Sequence, residues 1–139
     1  MSKEKSCGAI VFKRQKDGIK YLLLHYEAGH WDFPKGNEEK HEKEEQTAAR
    51  EIKEETGIED IEFADGFKET IKYFYKNGEE TMYKEVVFFL AQSATESVVL
   101  SKEHSGYAWM SYEHAEKKLT FNNSKDLVRK ANQFLDKKG

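Results

Sequence analysis

Three glutamates, Glu51, Glu54 and Glu55, lie near the end of the stretch GNEEKHEKEEQTAAREIKEETGI, residues 36–58. That stretch packs eight of the chain's 26 acidic residues into 23 positions. Successive helical residues turn by about 100°. Relative to Glu51, Glu54 then falls at roughly −60° and Glu55 at roughly +40°, so the three carboxylates share one arc. Ala48 and Ile52, at roughly +60° and +100°, border that arc, and the acidic patch flanks a buried stripe. Carboxylates converging at the edge of a core repel one another unless a cation intervenes. Hard oxygen donors in that number suit Mg²⁺, with Mn²⁺ as a substitute, better than zinc. The same residues also fit a solvated acidic helix in which Arg50 and Lys53 relieve the repulsion. Spacing separates the two readings.

Read from Gly36, the stretch runs Gly-x5-Glu-x7-Arg-Glu-apolar-x-Glu-Glu-x-Gly-apolar. Gly36, Glu42, Arg50, Glu51, Ile52, Glu54, Glu55, Gly57 and Ile58 fill every specified position. On these residues the chain resembles the Nudix hydrolases. The resemblance implies an α/β/α sandwich around a mixed β-sheet, a divalent metal, and hydrolysis of a nucleoside diphosphate linked to another group. By position, Glu51, Glu54 and Glu55 would be metal ligands and Gly36 would let the backbone approach the metal. Arg50 would orient a ligand carboxylate, and Glu42 would brace the loop against the helix. Repulsion is then tolerated because metal and pyrophosphate neutralise it.

Flanking segments narrow the substrate. YLLLHYEAGHWDFPKG before the box, GFKETIKYFYKN after it and LSKEHSGYAWMS later in the chain resemble the asymmetrical diadenosine tetraphosphate hydrolases, which yield ATP and AMP. By that likeness Lys35 would touch the polyphosphate, with His30 and Trp31 at the same mouth. Tyr73 and Tyr107 would stack on adenine. Glu103 would be a further metal ligand or the general base, with Glu55 its competitor for the base. Plain packing also accounts for Tyr73 and Trp31, and His104 reads as a supporting hydrogen-bonder. His25 and His114 read as structural or surface residues. Alternative substrates are the 5′ end of RNA, ADP-ribose and damaged dNTPs; a non-catalytic binding module is a further alternative, against which the intact carboxylates count. One departure stands out: GNEEKHE replaces the usual Gly-His-apolar-Glu-Pro-Gly-Glu at the start of the box, which alters the loop.

Composition sets the frame for this site. The 139 residues suit one domain with a single core. Charged residues make up 35% and apolar residues 37%, and the 13% of aromatic residues argues against disorder. A net charge of −3 provides no basic field for nucleic acid, so no stable nucleic-acid partner is expected. One cysteine, Cys7, excludes an internal disulfide and fits a reducing compartment. The N-terminal apolar stretch is too short for a signal peptide, and no segment approaches the ~20 apolar residues of a membrane span. The expectation is a cytoplasmic enzyme acting on a small molecule.

The elements that must hold the site follow from local pattern. SCGAIVFK and IKYLLLHYE predict a hairpin turning at Asp17-Gly18, with Leu22-Leu23-Leu24 in a strand covered on both faces. The box predicts a helix from about Glu42 to Thr56, stopped by Gly57. FKETIKYFY and TMYKEVVFFLA predict a second hairpin turning at Asn77-Gly78. SVVLS and GYAWMS read as further short strands. Ser111 caps a short helix ending near Leu119, and Asn123 or Ser124 caps a last one to about Lys137. Leu127, Ala131, Phe134 and Leu135 form its apolar stripe.

Overall fold

Alternation in the first apolar run builds the centre of the molecule, because successive strand residues face opposite layers. The structure, a computed structural model, describes residues 2–138. Strand β1 (Ser2–Gln15) turns at Asp17-Gly18 into β2 (Gly18–Tyr26), with Gln15 opposite Gly18, so the expected hairpin forms. Two short strands follow, β3 (Trp31–Asp32) and β4 (Lys35–Asn37), and then helix α1 (Glu44–Thr56). Beyond it lie β5 (Glu62–Phe63), β6 (Glu69–Asn77), β7 (Glu80–Gln92), β8 (His104–Met110), α2 (Tyr112–Lys118) and α3 (Asn122–Lys138). All eight strands join one mixed sheet: β1 runs parallel to β7 and antiparallel to β2 and β4. Strands β6 and β8 add antiparallel to β7 and β2.

One core lies on each face of the sheet. Ile10, Phe12, Tyr21, Leu23 and Phe88 point to the layer shared with α2 and α3, where Leu127, Val128, Ala131 and Leu135 are buried. Ala9, Val11, Leu22, Leu24, Val87 and Phe89 point to the other layer, against Ala48 and Ile52 of α1. Leu22, Leu23 and Leu24 are wholly buried and divide between the two layers, as a strand covered on both faces requires. The result is the α/β/α arrangement expected from the sequence.

Helix α1 starts at Glu44, two residues later than expected, because its first turn is organised by Gln46 Oε1 accepting from the Lys43 N–H at 2.8 Å. Gly57 ends it at φ 76°, in the left-handed region that favours glycine. Where family boxes carry Pro-Gly, His41 takes a left-handed φ of 70°. Ser111 accepts from the His114 N–H and caps α2.

Two expectations need correction. SVVLS is no strand: Val99 donates its N–H to the Thr56 carbonyl at the end of α1, and Val98 and Leu100 pack on the core as a loop. Helix α3 is not capped by Asn123 or Ser124. It begins at Asn122, its first turn closes from the Lys125 N–H to the Phe121 carbonyl, and the Ser124 hydroxyl is directed inward to Asp32 instead.

Candidate active site

Helical spacing and the short strand β4 bring the box together. Arg50 is its hub. Nε and Nη2 donate to the two Glu42 carboxylate oxygens at 2.6 and 3.0 Å, Nη2 also donates to the Asn37 carbonyl at 2.8 Å, and Nη1 donates to Glu51 at 2.6 Å. Nη1 reaches Glu54 as well, at 3.2 Å. One guanidinium thus ties the box loop, β4 and two helix carboxylates into a fixed set. Arg50 holds the Glu42 carboxyl down near 2, so that brace stays ionised. Glu42 also accepts from the Glu39 N–H and from the Thr47 hydroxyl, which fastens the loop to the helix.

Glu51 passes directly beneath the β4 backbone. A Cβ placed on Gly36 would lie 2.0 Å from the Glu51 carboxylate, so only glycine leaves that carboxylate where it is. Burial raises the Glu51 pKa against the opposing pull of Arg50. Glu55 is buried and accepts from the Lys35 N–H at 3.1 Å. Burial, and then the charge of Glu51, push its carboxyl up to about 8. Glu54 is the solvent-side member, its side chain 55% exposed.

The residues fit a divalent cation. Glu51, Glu54, Glu55 and Glu103 line a single cleft with Lys35 and Gly36. Ligand atoms of Glu55, Glu103 and His104 lie within 4.8 Å of one another. His104 Nδ1 is engaged by the Ser101 hydroxyl at 2.9 Å, while Nε2 faces Glu55 Oε1 at 3.9 Å. That Nε2 is the one fully buried side-chain polar atom without a hydrogen-bond partner among the described residues. Carboxylate oxygens predominate in this set, and hard donors suit Mg²⁺ or Mn²⁺. A buried carboxylate with a raised pKa beside a second one marks a place where a cation would be stabilising.

Recognised domains agree with this geometry. A NUDIX domain matches residues 3–131. The chain belongs to the NUDIX family. It is 33% identical to the mouse (Mus musculus) bis(5′-nucleosyl)-tetraphosphatase [asymmetrical], over 94% of this chain and 95% of the mouse protein. It is likewise 33% identical to the Caenorhabditis elegans protein of the same description, over 94% of this chain and 96% of that protein. Among solved structures, a binary complex of a C. elegans Ap4A hydrolase superposes with a TM-score of 0.84 at 32% identity, covering 96% of this chain and 98% of that one.

Within this Nudix fold the expected substrate residues separate into groups. Lys35 lines the carboxylate cleft and also a neighbouring cleft of about 260 Å³ walled by Tyr73, Phe121, Ile71 and Phe88. His30 stacks on Tyr26 with centroids 4.5 Å apart and meets Phe121 at 5.3 Å, linking the two clefts. Trp31 packs on the core, stacked on His25 at 4.6 Å with the Lys118 ammonium 5.0 Å from its ring centroid. Tyr107 lines a different groove, beside Lys13, Lys20 and Trp109. The physical reason is strand period: Tyr107 and Trp109 are two residues apart in β8 and share a face. Sequence reasoning assigned no role to Tyr26, Asp32 or Phe121. Tyr26 and Asp32 carry no spacing signal, and Phe121 sits between two helices outside any periodic pattern.

The Glu55 environment makes a prediction for stability. Its ordinary pKa of 4.5 in the unfolded chain rises to about 8 on folding. Between those values the folded protein holds a proton that the unfolded chain has released. The contribution is therefore fully present below pH 4.5 and lost as pH rises through about 8. Glu51 adds in the same direction, whereas His104, its pKa lowered by burial, opposes it below its ordinary 6.5. Chelator-treated protein should melt at a lower temperature at pH ~8 than at pH ~6, less steeply in Glu55→Gln, and millimolar Mg²⁺ should raise the melt most at the higher pH. A flat profile, or no metal shift at pH ~8, contradicts the site as drawn.

Proposed function

We propose that this Nudix hydrolase cleaves dinucleoside polyphosphates, splitting diadenosine tetraphosphate asymmetrically into ATP and AMP with Mg²⁺, or Mn²⁺ in its stead. The observation that carries the reading is Lys35, which borders both the carboxylate cleft and the aromatic cleft. A polyphosphate crossing that lysine has one end among carboxylates and the other at a base-sized cavity. The names of the relatives at 33% identity support the same substrate class. When bound, a divalent cation at the carboxylates neutralises their charge, polarises phosphoryl oxygens and lowers the pKa of water.

The chain's own residues do the rest. Arg50 holds Glu51 and Glu54 in place, and the Lys35 N–H holds Glu55. Lys35 Nζ offers its charge to the polyphosphate. Tyr73 and Phe121, 38% and 48% exposed, stack on one adenine. Glu103 accepts the proton of the attacking water: it is exposed and can pass that proton to solvent, whereas buried Glu55 cannot do so directly. Residues 1–139 act as one domain, in the cytoplasm, on a small molecule and with no stable nucleic-acid partner.

Incubation with diadenosine tetraphosphate, ADP-ribose, dNTPs and 5′-triphosphorylated RNA, followed by chromatography, tests the assignment. ATP and AMP in equal amounts are expected. Two ADP, or faster turnover of another substrate, would overturn it. Glu103→Gln should lower kcat with little change in KM. Tyr73→Ala and Phe121→Ala should each raise KM by the ~1–3 kcal/mol of one stacked base. Tyr107→Ala, in its own groove, should leave KM near the wild-type value; a rise equal to that of Tyr73→Ala would move the base to Tyr107.

A further inference from the structure

Asp32 is a buried carboxylate, 3% exposed, on the wall of the aromatic cleft, and the chemistry derived above gives it no task. Its two oxygens are not equivalent. Oδ1 accepts from the Phe33 N–H at 2.8 Å and from the Ser124 hydroxyl at 2.8 Å. Oδ2 has no hydrogen bond; Lys35 Nζ stands 3.6 Å away, beyond hydrogen-bonding distance. Asp32 lines the cleft, and Oδ2 is its oxygen with hydrogen-bonding capacity left to serve it. The ion pair with Lys35 balances the charge of Oδ2 but leaves its hydrogen-bonding capacity unused in a sheltered place.

We propose that Asp32 reads the base: Oδ2 accepts a hydrogen bond from the exocyclic amino group of a purine held between Tyr73 and Phe121. Amino-bearing purines then bind in preference to the same ring without the amino group. The inference rests on the reading of this cleft as the base subsite. Its geometry also dictates what a carboxamide would do there. The Phe33 N–H requires an acceptor, so in Asp32→Asn the amide oxygen takes the Oδ1 position and the NH₂ faces the cleft. A donor replaces an acceptor and meets the ring nitrogen N1, which both purines carry. Lys35 loses a neighbouring charge in that variant, but it serves the polyphosphate common to both substrates, and the effect cancels in a ratio.

The experiment compares kcat/KM for diadenosine tetraphosphate with that for the tetraphosphate carrying unsubstituted purine in place of both adenines. The wild type should prefer adenine by about tenfold or more, because a site built to bond an N–H rejects an analogue lacking it. Asp32→Asn should bring the ratio to within about twofold of unity, since its NH₂ serves both rings alike. A wild-type ratio already near unity overturns the proposal without any variant, so it stays testable even where Asp32→Asn does not fold. An unchanged ratio in folded Asp32→Asn overturns it equally. Should the wild type cleave neither dinucleotide while hydrolysing another nucleoside pyrophosphate, the substrate reading falls and the inference with it; cleavage of both at equal rates removes the inference alone.

Discussion

Glu55→Gln is expected to lower kcat at least ~10²-fold while the folded protein survives, and Glu54→Gln to do the same. Each change keeps the size of the side chain and removes one negative charge from a set that a divalent cation needs. The two variants should part company in stability. Glu55 is buried, held by the Lys35 N–H and crowded by Glu51, so its carboxyl is pushed up to about 8. A neutral carboxamide there relieves the crowding, and the metal-free variant should melt no lower than wild type at pH ~8. Glu54 is largely solvated and shares Arg50 with Glu51 and Glu42, so its loss should leave the melt almost unchanged. Turnover of either variant at a near wild-type rate in saturating Mg²⁺ would remove that glutamate from the site. Parallel melts separate that outcome from misfolding.

How far the site could be read in the sequence follows the range of the forces that build it. Glu51, Glu54 and Glu55 share an arc because helical turn is local, and Gly57 ends the helix for a reason contained in its own backbone. The hairpins at Gly18 and Gly78 are equally local, each glycine taking a positive φ. By contrast β3 and β4 are two and three residues long and exist only through pairing with β2 and β1. Short strands of this kind leave no pattern to read, yet they carry Asp32 and Lys35. SVVLS has a strand's composition, but the end of α1 offers its Val99 N–H a carbonyl. Phe121 reaches the aromatic cleft only because α2 and α3 meet there, and Tyr107 leaves it because strand period groups it with Trp109. Local chemistry was legible, whereas meetings between distant segments were not.

Gly36→Ala should separate folding from catalysis without removing any charge from the site. Gly36 sits in β4 opposite Cys7, and a Cβ there would fall 2.0 Å from both the carboxyl carbon and Oε1 of Glu51. Real Cβ contacts essentially never come below 3.0 Å, so something must shift by about 1 Å. The obstacle is the far end of a flexible side chain, and Glu51 can swing aside at small cost to the fold. Its partner Arg50 stays anchored by Glu42 and the Asn37 carbonyl, so the remaining network holds. The melting temperature should therefore fall by no more than about 4 °C, roughly what 1 kcal/mol does in a domain of this size. Catalysis should respond far more, because a 1 Å misplacement of a catalytic group costs about 10²-fold. The upward shift of the melt with Mg²⁺ should shrink in step, since Glu51 no longer meets the cation. A variant that retains both activity and metal response would show that Glu51 is free to move and that the glycine serves only the strand. A variant that melts far lower would place the strain in the backbone of β4, and the side chain beneath it would then be the rigid partner.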